Sequence, residues 1–121
     1  MWCWTQGVPV EVVPFAYLAI ANKLKNIKNT LCSATDNTAK RIFENDKPEV
    51  CMRTAVRKAG PVVTDNGNFV MDVKFGKIFE PALLENEIKM IPGVIEVGLF
   101  CSMAKESWFG NEDGTVSSRT I

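Results

Sequence analysis

Two periodicities alternate along the chain. Between Gly7 and Pro14, Val8-Pro9-Val10-Glu11-Val12-Val13 is a β-branched run closed at both ends by structure-breaking residues, which predicts one short strand. From Phe15 the spacing becomes helical. Phe15, Leu18, Ala19, Ala21 and Leu24 form an apolar stripe with Asn22, Lys23 and Lys25 between them, and Pro14 takes the first helical position, where its missing N–H costs nothing. Residues from about 26 to 48 are polar, rich in Asn, Thr and Lys, and aperiodic, which predicts a loop inserted into the domain. Within it, Ala39 to Glu44 can add a helical turn, with Ile42 and Phe43 tacking the segment to the body. Tolerated loop length accounts for such an insertion, since closure entropy grows slowly with length; a recognition element is the alternative.

Val50 to Arg57 alternates strictly, with Val50, Met52, Thr54 and Val56 on one side and Cys51, Arg53, Ala55 and Arg57 on the other, as in a half-buried strand. After Val62-Val63 comes Thr64-Asp65-Asn66-Gly67-Asn68, whose Asn-Gly pair favours the positive φ angles of a tight hairpin. Phe69, Met71, Val73 and Phe75 then alternate with Val70, Asp72 and Lys74, so a second strand returns antiparallel to the first and stops at Gly76. Pro81 opens a second helix on which Leu84, Ile88 and Ile91 stack, and Pro92-Gly93 ends it. Val94 to Phe100, apolar except for Glu96, predicts a strand covered on both faces. Ser107-Trp108-Phe109 and Thr115-Val116-Ser117 flank a Gly110-to-Gly114 turn and make a terminal hairpin. The order strand, helix, strand, strand, helix, strand predicts an α+β domain of the ferredoxin-like split βαβ (β-α-β-β-α-β) type. Its antiparallel sheet has both helices on one face, and a carboxyl-terminal β-hairpin is appended.

Composition narrows the function. At 121 residues, 46% hydrophobic and 23% charged, the chain has the make-up of one ordinary domain. Fourteen basic side chains balance 14 acidic ones, so there is no basic field to select nucleic acid or an anionic membrane, and the expectation is no partner of either kind. No apolar run approaches the roughly 20 residues that span a bilayer. Met1-Trp2-Cys3-Trp4 does not resemble a signal peptide, which makes the cytoplasm the expected location. The sequence contains no histidine, which removes the commonest general base, the Ser-His and Cys-His pairs and the commonest zinc ligand. Cys3, Cys32, Cys51 and Cys101 form no C-x-x-C pair and read as free structural thiols, so no metal site is expected.

Carboxylates remain as acid-base equipment. Asp65 with Asp72, and Glu112 with Asp113, are the candidate pairs, but Asp65, Glu112 and Asp113 lie in turns that favour such residues for backbone reasons, and Asp72 lies on the polar phase of its strand. Arg53, Arg57 and Lys58 beside Lys74 make either a small anion-binding patch or a solvated sheet face. Neither G-x-x-x-x-G-K-[ST] nor G-x-G-x-x-G occurs, so no nucleotide loop is recognisable, and the aromatic-basic interleaving of single-strand readers is absent.

Four blocks carry a family resemblance: Gly7 to Pro14 (GVPVEVVP), Val56 to Phe69 (VRKAGPVVTDNGNF), Met90 to Phe100 (MIPGVIEVGLF) and Phe109 to Gly114 (FGNEDG). In this order they resemble the A-type ribose-5-phosphate isomerase family, in its eukaryotic wording, over nearly the whole chain outside the insertion. The resemblance is to the carboxyl-terminal half of such an enzyme. The family's G-x-G-x-G-S-T phosphate loop, D-G-A-D-E acidic segment, K-G-G-G-x-A-L lysine segment and phosphate-binding lysine all precede the first block. None of these can be matched to a residue of this chain, so no catalytic residue is carried over.

The resemblance implies interconversion of ribose 5-phosphate and ribulose 5-phosphate in the pentose phosphate pathway, through an enediolate and without metal or organic cofactor. It implies a sugar phosphate substrate and a homo-oligomer for the intact enzyme, and an isolated chain that is inactive. Residues 1–97 would form the small ferredoxin-like domain and 98–121 a strand and hairpin returning to the catalytic α/β domain, with Val8 to Val13 and the stretch after Val97 as the two crossings. Trp2, Trp4, Val97, Leu99, Phe100, Trp108 and Phe109 would then face that domain. A non-catalytic interaction or oligomerisation module derived from the enzyme is the alternative.

Overall fold

A computed structural model describes residues 6–32 and 42–120, with side chains described outside 30–32. Strand β1 (Val8–Val12) is central. It pairs antiparallel with β3 (Phe69–Lys74) on one side and with β4 (Val94–Val97) on the other, while β2 (Glu49–Met52) adds antiparallel to β3. The four-stranded order is thus β2-β3-β1-β4. Val8, Val10 and Val12 point from β1 to one face, where they meet Ile20 and Leu24 of α1 (Tyr17–Lys25), Ile27 of α2 (Ile27–Cys32), and Leu84 and Ile88 of α3 (Pro81–Lys89) in a continuous buried cluster. Strands β5 (Glu106–Gly110) and β6 (Val116–Thr120) form a separate two-stranded antiparallel sheet, the expected hairpin.

The first helix is rotated relative to its sequence pattern. Phe15, Leu18 and Ala19 are exposed, and the buried stripe is Tyr17, Ile20, Ala21 and Leu24. The cause is Pro14–Ala16, which forms a 3-10 turn, so the α-helical phase starts at Tyr17 and runs i, i+3, i+4, i+7 from there.

The 26–48 segment is not simply a loop. Its beginning is α2, with Ile27 and Lys28 buried, and its end carries Ile42 and Phe43 into the core. Phe43 bridges to Ile78 and stacks edge-on against Phe75 at 5.0 Å. The tacking role of Ile42 and Phe43 is therefore present. Of the expected turn at Ala39 to Glu44, residues 39–41 lie outside the described residues.

Two expected strands are shorter than their patterns. Strand β2 stops at Met52, beyond which Thr54 makes one bridge to Pro61 and Val56 stands exposed on the 55–60 loop. Strand β4 stops at Val97 and is not covered on both faces, because Ile95 and Glu96 are exposed. Pro9 is the physical reason for that ending. Its carbonyl accepts the Gly98 N–H at 2.7 Å, but it has no N–H to return, so the ladder cannot continue past Gly98. Val97, expected to face another domain, is buried in this core.

At the hairpin turn only Gly67 has a positive φ, of 77°; Asn66 does not. Thr64 N–H bonds the Asn68 carbonyl at 2.8 Å and Gly67 N–H the Thr64 carbonyl at 2.9 Å, a three-residue loop whose last residue is left-handed.

Gly98 and Gly67 should fail differently when given a side chain. A Cβ on Gly98 would lie 2.3 Å from Pro9 Cγ, inside the sheet, whereas one on Gly67 meets nothing and strains only the backbone. Gly98→Ala should cost about 3 kcal/mol and Gly67→Ala about 1 kcal/mol in urea unfolding. Equal losses would remove the close approach of β1 and β4 as the reason for Gly98.

Candidate functional site

The face of the sheet away from the helices carries the polar chemistry. Pro9 and Glu11 project there from β1, since the alternation that buries Val8, Val10 and Val12 turns them outward. Glu11 stands opposite Val70 on one side and Glu96 on the other, and Pro9 stands opposite Asp72. Pro9, Glu11, Val70 and Glu96, with Arg53, Thr64 and Phe100, border an open depression of about 270 Å³.

Its groups are engaged with one another. Glu11 Oε1 accepts from the Thr64 hydroxyl at 2.7 Å and from the Asn68 side-chain amide at 3.0 Å. These bonds, Thr64 first, hold the Glu11 carboxyl below its ordinary value. They also relieve the cost of placing Glu11 and Glu96 directly across two strands, where like charges repel. A carboxylate held low is a weak base, whereas proton abstraction next to a carbonyl asks for a pKa nearer the working pH.

Arg53 grips Asp72 with both ends of its guanidinium, through Nε to Oδ2 at 2.9 Å and through Nη2 to Oδ1. Asp72 is buried, so Arg53 is committed to it rather than free for an external anion. Lys74 pairs with Glu49 at 3.0 Å, and Glu49 also accepts the Cys51 thiol at 3.2 Å, which pushes that thiol up and away from the nucleophilic thiolate form. Burial, then Glu85, raises the Cys101 thiol in the same way.

The structure therefore separates the residues singled out by sequence. Arg57 and Lys58 lie on the exposed 55–60 loop, while Arg53 and Lys74 are ion-paired on the sheet. Asp65 is exposed in its turn, and Asp72 is on the strand with Arg53 as partner. Asp113 accepts the Thr115 N–H at 2.9 Å and its hydroxyl at 2.6 Å, which is the work of a turn residue. Cys51 and Cys101 are free thiols, but Cys51 is exposed rather than buried; Cys3 and the side chain of Cys32 lie outside what the structure describes. Among the described residues no three His, Cys, Asp or Glu groups come together to hold a metal ion, and no helix is long and apolar enough to cross a membrane. Sequence reading passed over Glu11, although it is the single charge in an apolar run and so the one residue of that strand bound to face outward.

Comparison with known proteins places this architecture. Residues 3–114 match the family described as ribose 5-phosphate isomerase A (phosphoriboisomerase A). Ribose-5-phosphate isomerases of Cryptococcus neoformans and Dictyostelium discoideum are each 44% identical to 97% and 98% of the chain, and that of Homo sapiens is 39% identical over 96%. The chain spans 36%, 44% and 32% of the length of these relatives. A ribose 5-phosphate isomerase A structure from Methanocaldococcus jannaschii, 32% identical, superposes with a TM-score of 0.71 over 98% of this chain and 43% of its own. A D-ribose-5-phosphate isomerase in complex with phospho-erythronic acid superposes at 0.76, with 36% identity and the same coverage. By sequence and by mixed α/β architecture alike, the chain belongs to the ribose 5-phosphate isomerase A family.

Proposed function

We propose that these 121 residues are the carboxyl-terminal part of an enzyme that interconverts ribose 5-phosphate and ribulose 5-phosphate in the cytoplasm, and that they build the subunit rather than move the proton. In this reading residues 1–97 are the small domain, a ferredoxin-like split βαβ with the 26–48 insertion. Residues 98–121 return the chain to a catalytic α/β domain outside it. The phosphate cradle, the carboxylate that shuttles the proton between C1 and C2, and the lysine that steadies charge on oxygen then belong to that other domain, and the intact enzyme is a homo-oligomer.

The observation that carries this reading is the terminal hairpin. Every residue of β6 is exposed, Trp108 is 70% and Phe109 50% exposed, and among the described residues β5 and β6 pair only with each other. A two-stranded hairpin is marginal by itself in water, so one that presents aromatics with no sheet beneath them is shaped for a surface elsewhere. Phe100, before the hairpin in the chain, is exposed as well. The sheet face supports the same division of labour, since Glu11 is held ionised and Arg53 is committed to Asp72.

Two measurements test the proposal. The purified chain should give no turnover of ribose 5-phosphate, and should gain it when co-expressed with the amino-terminal portion of the Dictyostelium discoideum relative. Turnover by the chain alone, surviving controls for host enzyme, would assign chemistry to its own carboxylates. The chain should also self-associate at roughly tens of micromolar through the apolar hairpin, and the double variant Trp108→Ser, Phe109→Ser should run as a monomer in light scattering. Equal masses for the two proteins would show that the hairpin is not the sticky surface.

A further inference from the structure

We propose that residues 43–46 form a preformed socket for a primary ammonium group, filled in this protein by its own Lys28. Lys28 enters from α2 with its side chain only 8% exposed. Its Nζ donates to the Phe43 carbonyl at 3.3 Å, the Glu44 carbonyl at 3.3 Å and Asp46 Oδ1 at 2.8 Å, and lies 5.2 Å from the centre of the Phe43 ring. Three oxygen acceptors match the three N–H bonds of an ammonium, and the ring face adds a further attraction for a cation. Asp46 is 91% exposed, so its charge is well screened and the two carbonyls and the ring supply the specific part of the site.

The walls of the socket are fixed by bonds that do not involve Lys28. Glu44 N–H donates to the Lys77 carbonyl at 2.9 Å, Asn45 N–H to the Phe75 carbonyl at 3.0 Å, and Phe79 N–H to the Ile42 carbonyl at 2.8 Å. The Asn45 side-chain amide donates to the Lys74 carbonyl at 3.0 Å, and Glu44 Oε2 receives the Lys77 N–H at 3.1 Å. The 42–46 stretch is therefore bound to the β3–α3 connection. Helix α2, by contrast, brings Lys28 to the socket and is too short, at six residues, to persist by itself. The arrangement is a plug and a socket: the socket belongs to the body, and the plug docks the helix. A short alkylammonium ion, or a lysine side chain offered by another protein, is the class of ligand that would compete for it.

Truncating the plug and supplying its head group separately is the test. Lys28→Ala should lower Tm by about 5 to 10 °C, and ethylammonium chloride at about 100 mM should restore at least half of that, while tetramethylammonium chloride, which has no N–H, restores none. Equal responses to the two salts would overturn the socket. Lys28→Met keeps the apolar stem and serves if the alanine variant does not fold. In it the Asn29 amide of α2 should exchange about tenfold faster while the Glu44 and Asn45 amides keep their protection. Loss of protection at Glu44 and Asn45 would show that the lysine shapes the site instead of filling it, and a Met variant indistinguishable from the parent protein would show that only the stem counts.

Discussion

The fold depends on β1 having a partner on each side. Val10 and Val12 are wholly buried because β3 and β4 close the sheet around them and the helices close the layer above. Each edge of β1 is specified by a different device. Towards β3 the ladder is regular over five residues, from Val8 opposite Val73 to Val12 opposite Phe69. Towards β4 it is short, broken by a register shift at Glu11/Val12 and ended by Pro9 against Gly98. The ending releases the chain from the sheet, and Ser102, with a φ of 59°, turns it towards the hairpin. A non-glycine residue in that region costs energy that the surrounding contacts must offset.

On the polar face of the sheet, three carboxylates have local partners. Asp72, which would be costly alone, has Arg53; Glu11, crowded by Glu96, has Thr64 and Asn68; Glu49 has Lys74 and the Cys51 thiol. Among the described residues, no buried side-chain nitrogen or oxygen lacks a partner.

Much of this was legible in the sequence, and the exceptions have local causes. Alternation in Phe69 to Phe75 and the Leu84, Ile88 spacing predicted β3 and α3, since both are regular and buried on the expected side. The phase of α1 was not legible because a 3-10 turn consumes a different number of residues per turn from an α-helix, and nothing in Pro14-Phe15-Ala16 announces it. Helix α2 hid in a polar stretch because, beside Ile27, it buries a lysine, a residue that pattern reading assigns to solvent. The early stop of β4 was visible only as a property of Pro9, in another strand. For the site, the residue types were legible and their pairings were not: that Arg53 meets Asp72 follows from strand register, which a sequence states only when the strands are already paired.

The position of β1 in the chain also governs the order in which the domain can be made. Val10, near the start, pairs with Met71 and Val97, both far along the chain. During synthesis the strand that will end at the centre of the sheet emerges before either of its partners, and it waits with both edges open until β3 follows and with one edge open until β4 does. Pairings between residues this distant in sequence form slowly, because loop closure must be met before any contact rewards it. Within β1, Pro9 withholds a donor and Glu11 adds a charge, the two kinds of residue that make an open strand edge a poorer template for the wrong partner.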